Sequence, residues 1–151
     1  MEAFVAAGAG FLLAVLWFDL MHDVQARGHA ASELPESVLA SIAGYYARVT
    51  TGARPMNRLV MVAMLGTIVG IVVEAANGLD PVWLPWVSLL LAVVPIALAS
   101  RRTVPAAVRL GTRRDDAGEQ SRLARTILGD HVVAFTCIAV LLVVQLASAA
   151  R

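Results

Sequence analysis

The sequence contains one cysteine, no lysine and few charged residues for its length. Cys137 is the only thiol among 151 residues, so no disulfide can form within the chain and cysteine usage does not reveal a redox compartment. Charged side chains make up 15% of the chain, whereas a typical soluble domain has about 25%. The net charge of +1 gives no basis for nucleic-acid binding. The absence of lysine, beside abundant Ala, Val, Gly and Arg, is typical of a GC-rich bacterial genome.

Several sequence signatures of catalysis are also absent. The chain has no glycine-rich phosphate loop ending in lysine, no His-Glu-x-x-His motif and no pair of cysteines. Its serines have no histidine at a spacing that suggests a nucleophile and its base. These absences remove the sequence basis for a kinase or a lipid hydrolase.

Four apolar runs dominate the chain, at residues 3–18, 59–73, 81–100 and 132–150. A helix needs about 20 apolar residues to cross the hydrocarbon core of a bilayer. We therefore predict one all-α integral membrane domain over residues 1–151, a bundle of four transmembrane helices. The predicted spans are about 3–21, 56–76, 82–100 and 126–148. The first run ends in Trp17-Phe18-Asp19 and has no small-residue cleavage site, so we predict a retained span rather than a signal peptide.

The arginines predict an orientation for these spans. Every arginine except Arg151 lies between the first two runs or between the last two, whereas the turn at residues 77–80 has none. By the positive-inside rule, loops at about 23–55 and 101–125 are cytoplasmic, and the short turn and both termini lie outside. Trp83 and Trp86 suit the outer interface. We expect a multi-pass protein of the bacterial inner membrane.

A helix is predicted within the first cytoplasmic loop. Pro35 suits a first helical turn and Glu36 favours the positive end of the helix dipole. Apolar and aromatic residues then recur at helical spacing: Val38, Leu39, Ile42, Tyr45, Tyr46 and Val49. This pattern predicts an amphipathic helix on the inner membrane surface or against the bundle, with both tyrosines as interfacial aromatics.

Two groups of ionisable residues lie at the inner ends of the first and fourth spans. Asp19, His22 and Asp23 have i, i+3, i+4 spacing, which places them on one face of a helix. Asp130 and His131 begin the fourth span at a similar depth. Carboxylates and imidazoles are ligands of first-row metals. One hypothesis is therefore a divalent-metal site, serving an enzyme or a cation or proton transporter, formed by all five residues.

Two other readings of the same residues stay open. His22 and His131, on different spans, fit the axial ligation of a haem iron. Alternatively, the aspartates pair with the arginines near the same interface, such as Arg54 and Arg102, and only fix helix register.

The second span carries a close-packing motif and an acidic residue. Gly66 and Gly70 have the spacing that lets helix backbones approach closely. Glu74 continues the same i, i+4 line, so we expect it to face a partner helix. It is a candidate for an ion pathway, with Gln145 at similar depth.

A non-enzymatic role is favoured by three features of the sequence. They are the glycine spacing in the second span, the small-residue face Ala6/Gly10/Ala14 in the first span and the small soluble portion. We expect a small accessory or self-associating subunit in the lipid bilayer, as a homo-oligomer or within a larger membrane complex. The metal and haem hypotheses are the alternatives.

Overall fold

The computed structural model is a bundle of four long helices with two short helices packed at one end. The structure describes residues 1–52, 54–78 and 80–150, and of residues 54 and 55 it describes the backbone only. Over that part it contains helices and no strand, so the predicted all-α class is confirmed there. The helices are α1 (Glu2–Asp23), α2 (Glu36–Ala47), α3 (Arg54–Ala76), α4 (Trp83–Leu98), α5 (Val104–Thr112) and α6 (Ala117–Ala149).

Four helical segments are long and apolar enough to cross a bilayer. They are Glu2–Ala26, Met56–Ala76, Trp83–Thr112 and Ala117–Ala149. Large apolar side chains such as Leu65, Val69 and Val143 are about three-fifths exposed on the outer faces. A lipid-facing helix carries such residues, because hydrocarbon and not water covers them. These features fit a multi-pass membrane protein.

The long helices form a four-membered ring. Helix α1 packs against α3 and α6, and α4 packs against the same two helices. Helix α2 lies in the connection from α1 to α3, and α5 lies in the connection from α4 to α6. The contact between α1 and α6 brings together the two helices that carry the predicted ionisable residues.

The middle of the ring is apolar. Its buried residues come from all four long helices: Val5, Ala9, Leu12, Ile71, Ala92, Ile138 and Leu141. Gly66 and Gly70 of α3 face α1, and a Cβ on Gly70 would lie 2.7 Å from Val5 Cγ2. The glycine spacing therefore lies where α1 and α3 approach each other closely.

The predicted small-residue face of α1 is only partly correct. Ala6 is buried, but Gly10 faces open space and Ala14 is exposed. The packed face of α1 instead follows Val5, Ala9 and Leu12, since these residues point between α3 and α6.

Helix α2 exists as predicted and packs against the bundle. Leu39, Ile42 and Tyr46 are buried with Leu110 of α5 and Ile127 of α6 in a second apolar core. Helices as short as α2 are marginal in water, so this packing supplies much of its stability. Its place on the cytoplasmic side stays a prediction.

The connection at 101–125 is helical at both places where the sequence predicts helical fragments, around Pro105–Leu110 and Gly118–Arg125. A π turn at Ala99–Thr103 joins α4 to α5, and α6 begins at Ala117, well before the span start predicted near residue 126. The cause is a helix cap, because the Asp116 side chain accepts a hydrogen bond of 2.8 Å from the Glu119 backbone N–H. The Asp-x-x-Glu spacing of a capping box was present in the sequence. The side chain of Arg54, a predicted aspartate partner, lies outside the described residues, as does Arg151.

The close approach of α5 to α2 is testable at Gly111. A Cβ there would lie 2.9 Å from the Ala47 backbone nitrogen and 3.1 Å from its Cα. Gly111→Ala should therefore push the helices apart and destabilise the protein by about 1–3 kcal/mol, the usual effect of overpacking. The measurement is the midpoint of thermal unfolding in mild detergent, followed by circular dichroism.

Gly44→Ala in α2 is the matched control. Beyond its own helix turn, no atom of the described residues lies within 4 Å of the added Cβ, and alanine is favoured over glycine inside a helix by up to about 1 kcal/mol. The control should be at least as stable as the wild type. Equal stability of Gly111→Ala and the wild type would contradict the close approach.

Candidate functional site

The Asp23 carboxylate is the centre of a hydrogen-bonded cluster at one end of the bundle. Asp23 is fully buried. Its Oδ1 accepts a hydrogen bond of 2.6 Å from the Tyr46 hydroxyl, and its Oδ2 lies 2.6 Å from His131 Nδ1. These contacts join α1, α2 and α6 through one carboxylate.

Local helix geometry explains why these side chains meet. Asp23 is the last residue of α1. Tyr46 lies one turn after Ile42 on the buried face of α2, and His131 lies one turn after Ile127 on the buried face of α6. The apolar residues that dock α2 and α6 thereby aim both polar side chains at the end of α1.

A second aspartate of α1 bonds to the neighbouring tyrosine. The Tyr45 hydroxyl donates to Asp19 Oδ1 at 2.5 Å. The His22 ring stacks on Tyr45 with centroids 3.9 Å apart and planes 10° from parallel. His22 Nδ1 lies 3.1 Å from the Phe18 carbonyl oxygen of its own helix. His22 therefore packs over the tyrosine, while His131 contacts a carboxylate.

Asp130 has different partners. Arg102 binds both of its oxygens, through Nε at 2.9 Å and through a terminal nitrogen. The Thr103 hydroxyl donates to Asp130 Oδ2 at 3.0 Å. The carboxylate is buried, but 58% of the Arg102 side chain is exposed. A bidentate pair of this kind fixes the geometry between two elements as well as the charge, here between the end of α4 and α6.

Both tyrosines are held as neutral hydrogen-bond donors. Burial, together with the Asp19 carboxylate, raises the pKa of Tyr45 well above its ordinary value. Burial and the Asp23 carboxylate raise the pKa of Tyr46 further. A tyrosinate at either position would place a second negative charge against a carboxylate in a poorly solvated site.

The five residues predicted as metal ligands divide into separate contacts. Asp23 with His131, Asp19 with Tyr45, and Asp130 with Arg102 make three groups. Among the described residues, no three His, Cys, Asp or Glu side chains are arranged to hold a metal ion. The metal site stays a prediction, and so does haem ligation by His22 and His131.

The predicted pairing of aspartates with arginines applies to Asp130. Asp19 and Asp23 instead accept hydrogen bonds from Tyr45 and Tyr46. The sequence reading assigned both tyrosines to the membrane interface and missed this role. The available signal was the position of Tyr46 on the apolar face of its helix, since a buried tyrosine hydroxyl usually finds a polar partner.

A second polar group lies near the other end of the bundle. Glu74 of α3 is 2% exposed and faces α6, as its position in line with Gly66 and Gly70 predicts. Gln145 Nε2 donates to Glu74 Oε2 and to Ser88 Oγ, each at 3.1 Å. An ion pathway through Glu74 stays a prediction.

Comparison with known proteins identifies no relative: no family model, curated protein or solved structure matches this chain.

The neutral tyrosines give a direct optical test, because Tyr45 and Tyr46 are the only two in the chain. In unfolded protein, tyrosinate absorbance should appear near pH 10, the ordinary value for tyrosine. In folded protein in detergent, the raised pKa values of both tyrosines should keep that absorbance absent at this pH.

The raised pKa values also determine how the free energy of unfolding changes with pH. The folded pKa of each tyrosine lies above its unfolded value, so this stabilisation is complete below about pH 10 and is lost as the pH rises further. Tyr45→Phe leaves Tyr46 as the single ionisable phenol, and its tyrosinate absorbance should appear only upon unfolding. Ordinary titration of either phenol in the folded protein would contradict the hydrogen bonds to Asp19 and Asp23.

Proposed function

We propose that this protein is a small multi-pass subunit of the bacterial inner membrane, which self-associates or joins a larger membrane complex. Its role is structural, and the polar cluster at the inner end holds the bundle in register. The observation that carries this proposal is the internal pairing of that cluster. The buried carboxylates of Asp23 and Asp130 each accept two or more contacts from side chains of the same chain.

The lipid-exposed surface supports membrane residence. Of the described residues, the exposed large apolar side chains lie on all four long helices, with Phe4, Leu65, Leu90 and Val143 as examples. Apolar faces of this kind contact lipid tails or the helices of another subunit.

Arginines support the proposed orientation. Arg101, Arg102, Arg109 and Arg122 are exposed and line one shallow groove between α5 and α6. Among the described residues Arg102, Arg109 and Arg122 pair with carboxylates of the chain, which leaves Arg101 to meet the anionic headgroups of the cytoplasmic leaflet. The same end holds α2 and the Asp23 cluster, so both belong on the inner side in this proposal.

Cysteine accessibility tests the orientation. In a Cys137→Ala background, Asn77→Cys and Arg114→Cys place a thiol in the two connections, at positions that are both exposed. We expect a membrane-impermeant maleimide to label Asn77→Cys in intact spheroplasts, and to label Arg114→Cys only after the membrane is opened. The positive-inside rule gives the physical reason.

Cys137 itself is the control, because it lies midway along α6 and is partly buried. It should stay unlabelled in both conditions. Labelling of both introduced cysteines from the same side would contradict the four-span topology, and labelling with the sides exchanged would contradict the orientation.

A second candidate function rests on the contact between Asp23 and His131. A histidine Nδ1 at 2.6 Å from a fully buried carboxylate is the arrangement that orients a metal-ligating or proton-transferring imidazole. In this candidate the Nε2 atom of His131 binds a divalent metal, a haem iron or a transported proton.

Native mass spectrometry with a visible spectrum separates the two candidates. For the structural subunit, we expect complexes of more than one chain, without metal or haem, from protein extracted in mild detergent. For the second candidate, each chain carries a stoichiometric metal mass or a Soret band, which is lost in His131→Ala.

His22→Ala serves as the comparison variant. Its ring stacks on Tyr45 and its Nδ1 contacts only its own helix carbonyl, so it should keep the assembly unchanged. A metal-free monomer in the wild type would contradict the self-associating subunit and the metal candidate together. Loss of haem in both histidine variants would establish the haem reading.

A further inference from the structure

Three polar side chains from three helices meet in the outer half of the bundle. Glu74 of α3 is 2% exposed, and Ser88 of α4 and Gln145 of α6 are fully buried. The Gln145 amide nitrogen lies 3.1 Å from both Glu74 Oε2 and Ser88 Oγ. We call these three residues the outer polar site.

The outer polar site contains two buried oxygens without a hydrogen-bond partner. They are Glu74 Oε1 and Gln145 Oε1, and neither has a donor among the described residues. A buried acceptor left unpaired costs about 1–3 kcal/mol, and more when it is charged. Because Gln145 Nε2 bonds to Glu74 Oε2, the unpaired oxygens belong to two adjacent head groups.

Among the described residues, no basic side chain pairs with the carboxylate of Glu74. Its only hydrogen-bond donor among the described residues is the neutral Gln145 amide. Glu2 of α1, which accepts a hydrogen bond of 2.7 Å from Ser148, and the Met1 amino group lie near enough to interact electrostatically. Ionisable residues inside a membrane protein are expensive, and by default they mark a binding site or pathway.

We propose that the outer polar site binds one monovalent cation, either H⁺ or an alkali ion, between Glu74 and Gln145. Either cation neutralises the carboxylate and engages both unpaired oxygens. A proton on Glu74 Oε1 makes an acid that donates to the amide oxygen, opposite the existing N–H donation. An alkali ion is coordinated by the same two oxygens, with Ser88 Oγ as a further ligand.

The number and type of ligands favour a single positive charge. One carboxylate is fully buried in the outer polar site, so a divalent ion would leave a net charge among apolar helices. Carboxylate, amide and hydroxyl oxygens are hard ligands, which suit protons and alkali ions better than soft transition metals.

The position of the site predicts one-sided access. Between the outer polar site and Asp23 lies the apolar core of Ala9, Leu12 and Ile138. Asn77 and Asp80, by contrast, lie between α3 and α4 in the chain and are exposed. The cation therefore enters from the side of these two residues and does not cross the protomer.

Carbodiimide labelling tests the proposal on the full chain, purified with a C-terminal tag and placed in lipid nanodiscs. This reagent modifies protonated carboxyl groups in apolar sites, and mass spectrometry locates the adduct. We expect modification of Glu74 to slow at least about tenfold as the pH rises, or when Na⁺ or K⁺ replaces choline at constant pH. The first response identifies H⁺ as the ligand, and the second identifies an alkali ion.

Two variants assign the effect to this site. Gln145→Leu removes one ligand of the cation. The H⁺ or alkali-ion concentration at which modification of Glu74 is half-maximal should therefore shift by at least about tenfold, since hydrogen bonds to charged groups contribute about 1.5–3 kcal/mol. Thr67→Val is the matched control. Thr67 is also buried on α3, but its hydroxyl donates only to the Ala63 carbonyl of its own helix, so the response should be unchanged.

Thermal unfolding gives a reading that does not depend on the reagent. The Tm of the wild type should change with pH or alkali-ion concentration. In Glu74→Gln, a neutral isostere, the Tm should lose the part of this change that comes from cation binding at Glu74. Parallel Tm curves for wild type and Glu74→Gln would overturn the proposal. A labelling response that is identical in wild type and Gln145→Leu would also overturn it.

Discussion

The buried Asp23 carboxylate is the constraint on which the end of the bundle beside α2 depends. A carboxylate without exposure is tolerated only when donors surround it, and removing one partner of such a group typically costs about 3–5 kcal/mol. Tyr46 and His131 supply those donors from two other helices. Helix α2 must therefore dock against the bundle, and α6 must keep one rotation relative to α1.

The bundle has two polar layers separated by an apolar middle, and α6 contributes to both. Asp130 and His131 lie in the layer beside α2, and Gln145 lies in the outer polar site. Apolar packing among Val, Leu, Ile and Ala side chains tolerates many similar arrangements. Polar contacts within an apolar medium tolerate few, because a misplaced donor stays unpaired. We infer that the two layers fix the register of helices whose apolar faces alone specify it weakly.

Hydrophobic runs and spacing predicted much of this fold. The four apolar helices, helix α2, the burial of Glu74 and a close helix approach at Gly70 all follow from residues within one segment. Such features depend on the 3.6-residue period and on helix length, which a sequence displays directly.

The choice of partners could not be predicted in the same way. Asp23 had both tyrosines and several arginines within reach along the chain, and sequence separation does not distinguish them. The selection of Tyr46 depends on how Leu39 and Ile42 dock against α5 and α6, which is a tertiary contact. Likewise, the pairing of Asp130 with Arg102 depends on the π turn at Ala99–Thr103, which carries Arg102 and Thr103 toward α6.

The two polar layers also differ in how many of their buried side-chain oxygens have a hydrogen-bond partner. The carboxylates of Asp23 and Asp130 have partners for both oxygens. Glu74 Oε1 and Gln145 Oε1 have no donor among the described residues. Well-packed apolar residues often replace buried ionic groups without loss of stability, so helix packing alone gives no reason for an unsaturated acid–amide pair, and a bound cation does.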